Sequence, residues 1–272
     1  MPTPWKSQPQ FAAQLDLENP LCNGLASVLA PGSGLGLFDP RRGVVSTADS
    51  GVTYAGSKYG RVLRAGSGPD GFKPWAGGFE GGVSTTEYTL MIFCRINSLG
   101  TRRFVCADYN ASGNQESIVV EQTVANTWRI YHVNTVPQTS GDFTGIAVTT
   151  GWHWVEVTFK IGISFNSYID GALSVSDNAS SILSARRSGQ DYRVARPGAY
   201  TGLPFDGDIA FHCCWNRLLT DNQRAMVRDN PWQLFVPLRR PWERPAPKVV
   251  ASSNKFRSRS IYGTRAGSRS AG

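Results

Sequence analysis

Tyr88-Thr89-Leu90-Met91-Ile92-Phe93-Cys94-Arg95-Ile96 is apolar on both alternating faces, the pattern of a strand buried between two covering layers. It reads as a central strand. His153-Trp154-Val155-Glu156-Val157-Thr158-Phe159-Lys160 alternates instead, with Val155, Val157 and Phe159 on one side and Glu156, Thr158 and Lys160 on the other. One of its faces is expected to meet solvent or an edge. The run from Ile163 to Asp170 follows a short link at Gly162, and the Asp170-Gly171 dipeptide then marks a tight hairpin turn before Ala172 to Ser176. Ile209-Ala210-Phe211-His212-Cys213-Cys214-Trp215, approached through Phe205-Asp206-Gly207-Asp208, is the last strand. Short strands at this density, joined by turn residues, define an all-β fold of antiparallel strands.

A single short helix interrupts the pattern. Thr220 caps it, Gln223 three residues on completes a capping box, and Asn230-Pro231 stops it. The first 50 residues and the stretch from Gly66 to Gly82 are glycine-rich without periodicity, so long surface loops with fragments of strand are expected there. After Phe235, Pro237, Pro241, Pro245 and Pro247 exclude helix and favour an extended chain, and residues 251–272 are mostly Ser, Arg, Gly and Ala. The chain thus divides into an N-terminal extended segment (1–14), a strand-rich body (15–238) and a Pro-rich then Arg/Ser/Gly-rich basic arm (239–272).

The 272 residues carry 28 Lys and Arg against 20 Asp and Glu, a net charge of +8. From Arg239 onward there are nine basic residues (Arg239, Arg240, Arg244, Lys248, Lys255, Arg257, Arg259, Arg265, Arg269) and one acid, Glu243. The arm therefore holds the whole excess and the body is neutral, so the body is not a nucleic-acid-binding surface by charge. No apolar run approaches the roughly 18 residues that a bilayer span requires, and Met1-Pro2-Thr3-Pro4-Trp5-Lys6 has no apolar core like that of a signal peptide. A soluble protein made in the cytoplasm, with no membrane role, is expected. The five cysteines (Cys22, Cys94, Cys106, Cys213, Cys214) are odd in number, lack any Cys-x-x-Cys pair and mostly fall in apolar runs, which reads as buried thiols. Adjacent Cys213 and Cys214 should point to opposite faces of their strand.

Asn19-Pro20-Leu21-Cys22-Asn23-Gly24-Leu25, followed by Pro31-Gly32-Ser33-Gly34 and Phe38-Asp39, resembles the opening of laminin-G-like jelly-roll proteins encoded by bacteriophages and prophages, members of the concanavalin A-like superfamily. The similarity continues through Tyr59-Gly60-Arg61-Val62-Leu63, Gly151-Trp152-His153-Trp154-Val155-Glu156-Val157-Thr158, Tyr168-Ile169-Asp170-Gly171 and Phe205-Asp206-Gly207-Asp208-Ile209-Ala210. It closes on Asn216-Arg217-Leu218-Leu219-Thr220 and Asn230-Pro231-Trp232-Gln233-Leu234-Phe235. The resemblance implies a two-sheet antiparallel concanavalin A-like sandwich and a virion or virion-assembly protein. That superfamily also contains carbohydrate-binding modules and glycosidases, so the fold does not settle the function.

Glycosidase chemistry needs two carboxylates aimed at one side of a sugar. The strands offer only single ones, such as Glu87, Glu116, Glu121 and Glu156, and Asp206 and Asp208 flank Gly207 in what reads as a turn, so no catalytic residue is assigned and no enzyme is expected. His132, His153 and His212 sit in separate strand-like runs and no cysteine or histidine cluster has metal-ligand spacing, so neither metal nor cofactor is expected. Asp108, Asp142 and Asp170 are calcium options that one sequence cannot decide between. Trp75, Trp128 and Tyr131 lie in or near Gly- or Asn-rich segments and are the candidate platform for a carbohydrate, although the stronger reading is that the eight tryptophans of a chain this size mostly fill the core or cover sheet edges.

The arm combines arginines able to grip carboxylates or phosphates with apolar anchors on an extended chain. Its candidate partner-binding residues are Arg239, Arg240, Arg244, Lys255, Phe256, Arg257, Arg259, Tyr262, Arg265 and Arg269. The first functional expectation is a non-enzymatic structural protein of a bacteriophage virion, a capsid decoration, minor head or tail-attached component. The arm would anchor it to other virion proteins, with the sandwich displayed outward and copies associating as a homo-oligomer. Genomic nucleic acid is not an expected partner of such an arm. The alternative is a carbohydrate-binding module for a host-surface glycan, and a glycan-degrading enzyme comes third.

Overall fold

A computed structural model describes residues 13–31, 37–39, 44–46, 52–65, 86–108, 118–135, 138–177, 192–195, 203 and 205–237. The chain divides into two units, Met1–Leu238 and Arg239–Gly272, and all described residues lie in the first. In chain order the described strands are β1 (Ala13–Leu15), β2 (Leu25–Leu29), β3 (Leu37–Asp39), β4 (Val44–Ser46), β5 (Thr53–Ser57), β6 (Gly60–Ala65), β7 (Glu87–Ile96), β8 (Arg103–Asp108) and β9 (Ile118–Gln122). They continue with β10 (Thr127–Thr135), β11 (Gln138–Ala147), β12 (Trp152–Lys160), β13 (Ser164–Ile169), β14 (Ala172–Asp177), β15 (Tyr192–Val194), β16 (Gly207–Trp215) and β17 (Phe235–Pro237). The one described α-helix, α1, spans Asp221–Asp229, and single 3-10 turns cover Pro20–Cys22 and Pro231–Leu234.

Every pairing is antiparallel. The large sheet runs β14-β13-β12-β7-β16-β2-β3-β4, with β6 also on β16 and β5 on β6. The smaller sheet runs β11-β10-β9-β8-β15, and β1 with β17 forms a short ribbon joining the two ends of the body. As its double apolar pattern required, β7 is central. Leu90, Ile92, Cys94 and Ile96 join the core shared by both sheets, while Met91 and Phe93 join a second core on the opposite face of the large sheet. Each fully buried Leu, Ile or Phe contributes roughly 1.5–3 kcal/mol relative to exposure. Cys214 belongs to the first core and Cys213 to the second, and all five cysteines are buried thiols outside any disulfide. The Asp170-Gly171 turn is a two-residue hairpin with both residues in the left-handed region, at φ 52 and 83.

Two sequence expectations are corrected. Leu25–Leu29 is no surface loop: all five residues are buried, because β2 completes the outer flank of β16. The polar side of β12 does not face water either, since Glu156 is fully buried beneath α1. Arg224 Nε donates to Glu156 Oε2 at 2.9 Å and Arg228 Nη1 donates to Oε1 at 2.7 Å, so both carboxylate oxygens are held. Burial pushes the Glu156 carboxyl up, while the two guanidiniums pull against it. The helix itself follows the sequence reading. Thr220 Oγ1 accepts from Gln223 N, Gln223 Oε1 accepts from Thr220 N, and the helix ends before Pro231. Removing one partner of a buried pair strands the others, so Glu156→Gln is expected to cost roughly 3 kcal/mol in urea unfolding.

Tyr192 and His212 form a polar pair inside the core, hydroxyl to Nε2, at 2.8 Å. Burial lowers the His212 pKa from the ordinary 6.5 to about 3. The unfolded chain therefore binds a proton below about 6.5 that the folded chain refuses until about pH 3, and this contribution to stability is lost progressively as pH falls through that window. Between pH 7 and pH 5 the native protein should lose about 2 kcal/mol more stability than His212→Gln, read from urea midpoints at the two pH values.

Candidate functional site

A cleft of about 530 Å³ opens where four chain segments converge. The turn before β12 supplies Thr149 and Gly151, and β12 itself begins at Trp152-His153-Trp154. The β5–β6 turn adds Lys58 and Tyr59, the β13–β14 turn adds Asp170, and the end of α1 adds Arg228 and Asp229. Distant parts of the sequence meet here because β12 starts at this edge of the sheet and both neighbouring turns close beside it.

The aromatic floor is braced from behind. Phe93 stacks on Trp152 at 5.0 Å and on Trp154 at 4.9 Å, with interplanar angles of 27° and 29°. Tyr59 meets Phe93 and Trp152 edge to face at 4.8 and 5.3 Å. Trp154 and Tyr59 are buried and Trp152 is half-buried, so Trp152 presents a fixed ring to the cleft. A ring already ordered loses little entropy on binding.

One wall is a hydrogen-bonded chain. His153 Nδ1 lies 2.8 Å from Asp170 Oδ2, and its Nε2 lies 2.7 Å from Thr149 Oγ1. Asp170 Oδ1 accepts from Trp154 N at 2.8 Å and Thr149 Oγ1 accepts from Gly151 N at 3.1 Å. A neutral imidazole with the proton on Nδ1 satisfies every one of these contacts. The order threonine, histidine, aspartate is that of a nucleophilic triad. The Gly151 N–H also donates to the hydroxyl oxygen, and the chain ties the turn before β12 to the β13–β14 hairpin, which holds this wall in place. Trp128 supports the same histidine from the core side, ring edge to face at 6.0 Å.

Asp208, which the sequence placed in a turn, lies in β16 with no exposed side-chain surface. Arg64 Nε and Nη2 donate to its two oxygens at 2.7 and 3.1 Å, and Arg95 Nη2 also donates to Oδ2. Burial raises the Asp208 carboxyl, but the two arginines outweigh it and hold it below the ordinary range. Asp206 does sit at the strand entrance, accepting from Ser98 Oγ at 2.7 Å.

Trp128 and Tyr131, named by the sequence as platform candidates but weighed toward the core, are core residues and form no exposed platform. Both are 2% exposed, and they face opposite sides of β10, Trp128 toward the core between the sheets and Tyr131 toward Phe104, Ala107 and Val119. The reason is that β10 is an interior strand, flanked by β9 and β11. Trp75 and the arm candidates from Arg239 to Arg269 lie outside the described residues. The sequence reading missed Trp152, Tyr59 and Lys58 as site residues; Asp170-Gly171 marked a turn without showing that it meets the start of β12 and the β5–β6 turn. Among the described residues no group of three or more His, Cys, Asp or Glu side chains could hold a metal ion. The Asp170 carboxylate, a calcium option by sequence, meets His153 Nδ1 through Oδ2 and accepts from the Trp154 amide through Oδ1, and its side chain remains about half exposed at the cleft.

No protein-family model matches the chain, and no curated protein matches its sequence. Solved structures do resemble it. The binding domain of Paraclostridial Mosquitocidal Protein 1 aligns with a TM-score of 0.57 at 11% identity, over 76% of this chain and 52% of that one. Domain 4 of AbnA, an extracellular GH43 arabinanase from Geobacillus stearothermophilus solved with arabinotriose, gives 0.58 at 13%, over 75% of this chain and 98% of the domain. Trypanosoma rangeli sialidase with sialic acid gives 0.57 at 16%, over 75% of this chain and 32% of the enzyme. This chain is thus an antiparallel β-sandwich with the fold of these domains, spanning about half of the first and nearly all of the second.

The cleft geometry depends on Gly171, at φ +83, where an added Cβ would lie 2.7–2.9 Å from the Arg228 guanidinium. Gly171→Ala should displace Arg228 and lower stability by about 1–3 kcal/mol, measured by urea unfolding, because the turn conformation and the Glu156 contact are strained together.

Proposed function

We propose that the sandwich is a non-enzymatic glycan-binding module and that the Trp152 cleft is its site. The observation that carries this reading is the braced ring of Trp152 beside convergent polar side chains from four separate segments. Sugars present apolar C–H faces that stack on aromatic rings and hydroxyls that bond to carboxylates, amides and imidazoles, and the cleft supplies both. Asp170, Asp229 and Lys58 are exposed and directed to its lining. The fold is compatible: one structural neighbour is the arabinanase domain solved with arabinotriose, and another is described as a toxin's binding domain.

The basic arm completes the proposal as a tether to a larger assembly, which we read, from the resemblance to phage-encoded proteins, as a virion. Its support is the charge segregation: the arm carries all of the +8. In this reading the sandwich contacts the host glycan and the arm contacts the particle.

Titration with arabinotriose and a panel of other oligosaccharides, followed by tryptophan fluorescence, tests the site. Trp152→Ala should weaken binding at least about tenfold, the scale of one lost aromatic stack, and deletion of residues 239–272 should leave it unchanged. Saturable binding that survives Trp152→Ala would place the site elsewhere. The tether is tested by hydrogen exchange over residues 243–272, where protection is expected only when phage particles are present.

A further inference from the structure

We infer that the glycan unit held in the Trp152 cleft carries an anionic group, a carboxylate or a sulfate ester, seated on the side of the ring that faces β7. The inference rests on the glycan-binding reading above. Its starting point is a chain of four side chains. Tyr59 and Trp152 touch at 5.3 Å, and each ring has a cation over it: Lys58 Nζ is 4.9 Å from the Tyr59 centroid and the Arg95 guanidinium is 5.5 Å from that of Trp152. Lys58 is exposed and forms no ion pair among the described residues.

Arg95 belongs to a row fixed by strand register. Arg64 on β6 faces Asp208 on β16, Asp208 faces Arg95 on β7, and Arg95 faces Trp152 on β12. One carboxylate therefore neutralises two guanidiniums, leaving one positive charge in surplus. That carboxylate has no exposure and both its oxygens are occupied, whereas the Arg64 and Arg95 side chains are 44% and 33% exposed. Arg95 Nε has no acceptor among the described residues but is itself buried, so the exposed third of the side chain is what a ligand can meet. A partly exposed guanidinium beside an aromatic plane is a seat for a planar or tetrahedral oxyanion.

The opposite side of Trp152 carries two exposed acids, and the one cation lining it, Arg228, donates to the buried Glu156. β12 lies between β7 and β13, and Asp170 comes from the β13 side. With Asp229 at the helix end, it offers carboxylate oxygens that accept from sugar hydroxyls and repel a second anion. The exposed charges of the cleft thus differ from side to side: Lys58 stands beside Tyr59, while Asp170 and Asp229 stand on the other side, where the Arg228 guanidinium is engaged by Glu156. A sugar carrying one anionic substituent enters in a single orientation, its hydroxyls directed at the acids.

A printed array that pairs uronate-, sialate- and sulfate-bearing oligosaccharides with their uncharged counterparts, probed with the full chain at low and high salt, tests this. The charged member of a pair should be retained about tenfold better at low salt, and that preference should narrow as salt rises. Lys58→Gln should remove most of the preference, as should Arg95→Gln. Lys160→Gln makes the same charge change at the far end of β12, roughly 27 Å along the strand, and should leave the preference intact. Trp152-dependent retention with no preference for charge, or a preference for the uncharged members, overturns the inference while the glycan site stands. A charge preference reduced equally by Lys160→Gln, or untouched by Lys58→Gln, also overturns it. Failure of every glycan to be retained in a Trp152-dependent way overturns the glycan reading itself.

Discussion

Glu156 is the point on which the outer half of the structure depends. A carboxylate on the outward face of a central strand has only two stable outcomes, exposure to water or full coverage by donors, because an unpaired buried charge costs several kcal/mol. Here α1 brings Arg224 and Arg228 to its two oxygens. The helix is thereby tied to the sheet at a fixed height, and its last turn reaches the β13–β14 hairpin. The chain then leaves through Trp232 and Phe235 into a ribbon with β1 that holds the two ends of the body together. The site inherits its position from this contact, since Arg228 and Asp229 line the cleft only while the helix is docked.

The same device recurs. Glu121, also fully buried, is held by Arg102 Nη2 at 2.8 Å and Arg129 Nη1 at 3.3 Å, and Asp208 is held by Arg64 and Arg95. Isolated carboxylates on these strands therefore act as fasteners between neighbouring elements, each shared by two guanidiniums with a stack or exposed surface of their own. Arg224 lies 4.0 Å from the Tyr168 ring and Arg129 lies 4.5 Å from the Tyr131 ring, so both stack on an aromatic while gripping an acid. What distinguishes the Asp208 fastener is its address, two register steps, through Arg95, from the ring that floors the cleft.

The aromatic groups connect core to cleft. Trp232, Phe211, Trp154, Phe93 and Trp152 follow one another at centroid separations of 6.2, 6.1, 4.9 and 5.0 Å. The first members are buried and the last is half-open, so the platform is an extension of the hydrophobic core and not a side chain ordered by its ligand. The polar wall is equally preformed through the chain from Thr149 to Asp170. A site of this kind loses little conformational freedom when occupied.

The sequence by itself determined what local chemistry controls. The double apolar run of Tyr88–Ile96 made a central strand, Asp170-Gly171 made a left-handed hairpin turn, Thr220 and Gln223 capped the helix, and Cys213 and Cys214 parted to opposite faces, each because period and turn geometry act over a few residues. Tertiary structure alone decided that Glu156 is covered, that Leu25–Leu29 is core and that Trp128 and Tyr131 are buried while Trp152 is open. Those outcomes depend on which distant segment lies over a given strand face and on which strand ends meet. Alternation along a strand identifies two faces, but only the other strands and the helix decide which of them meets water.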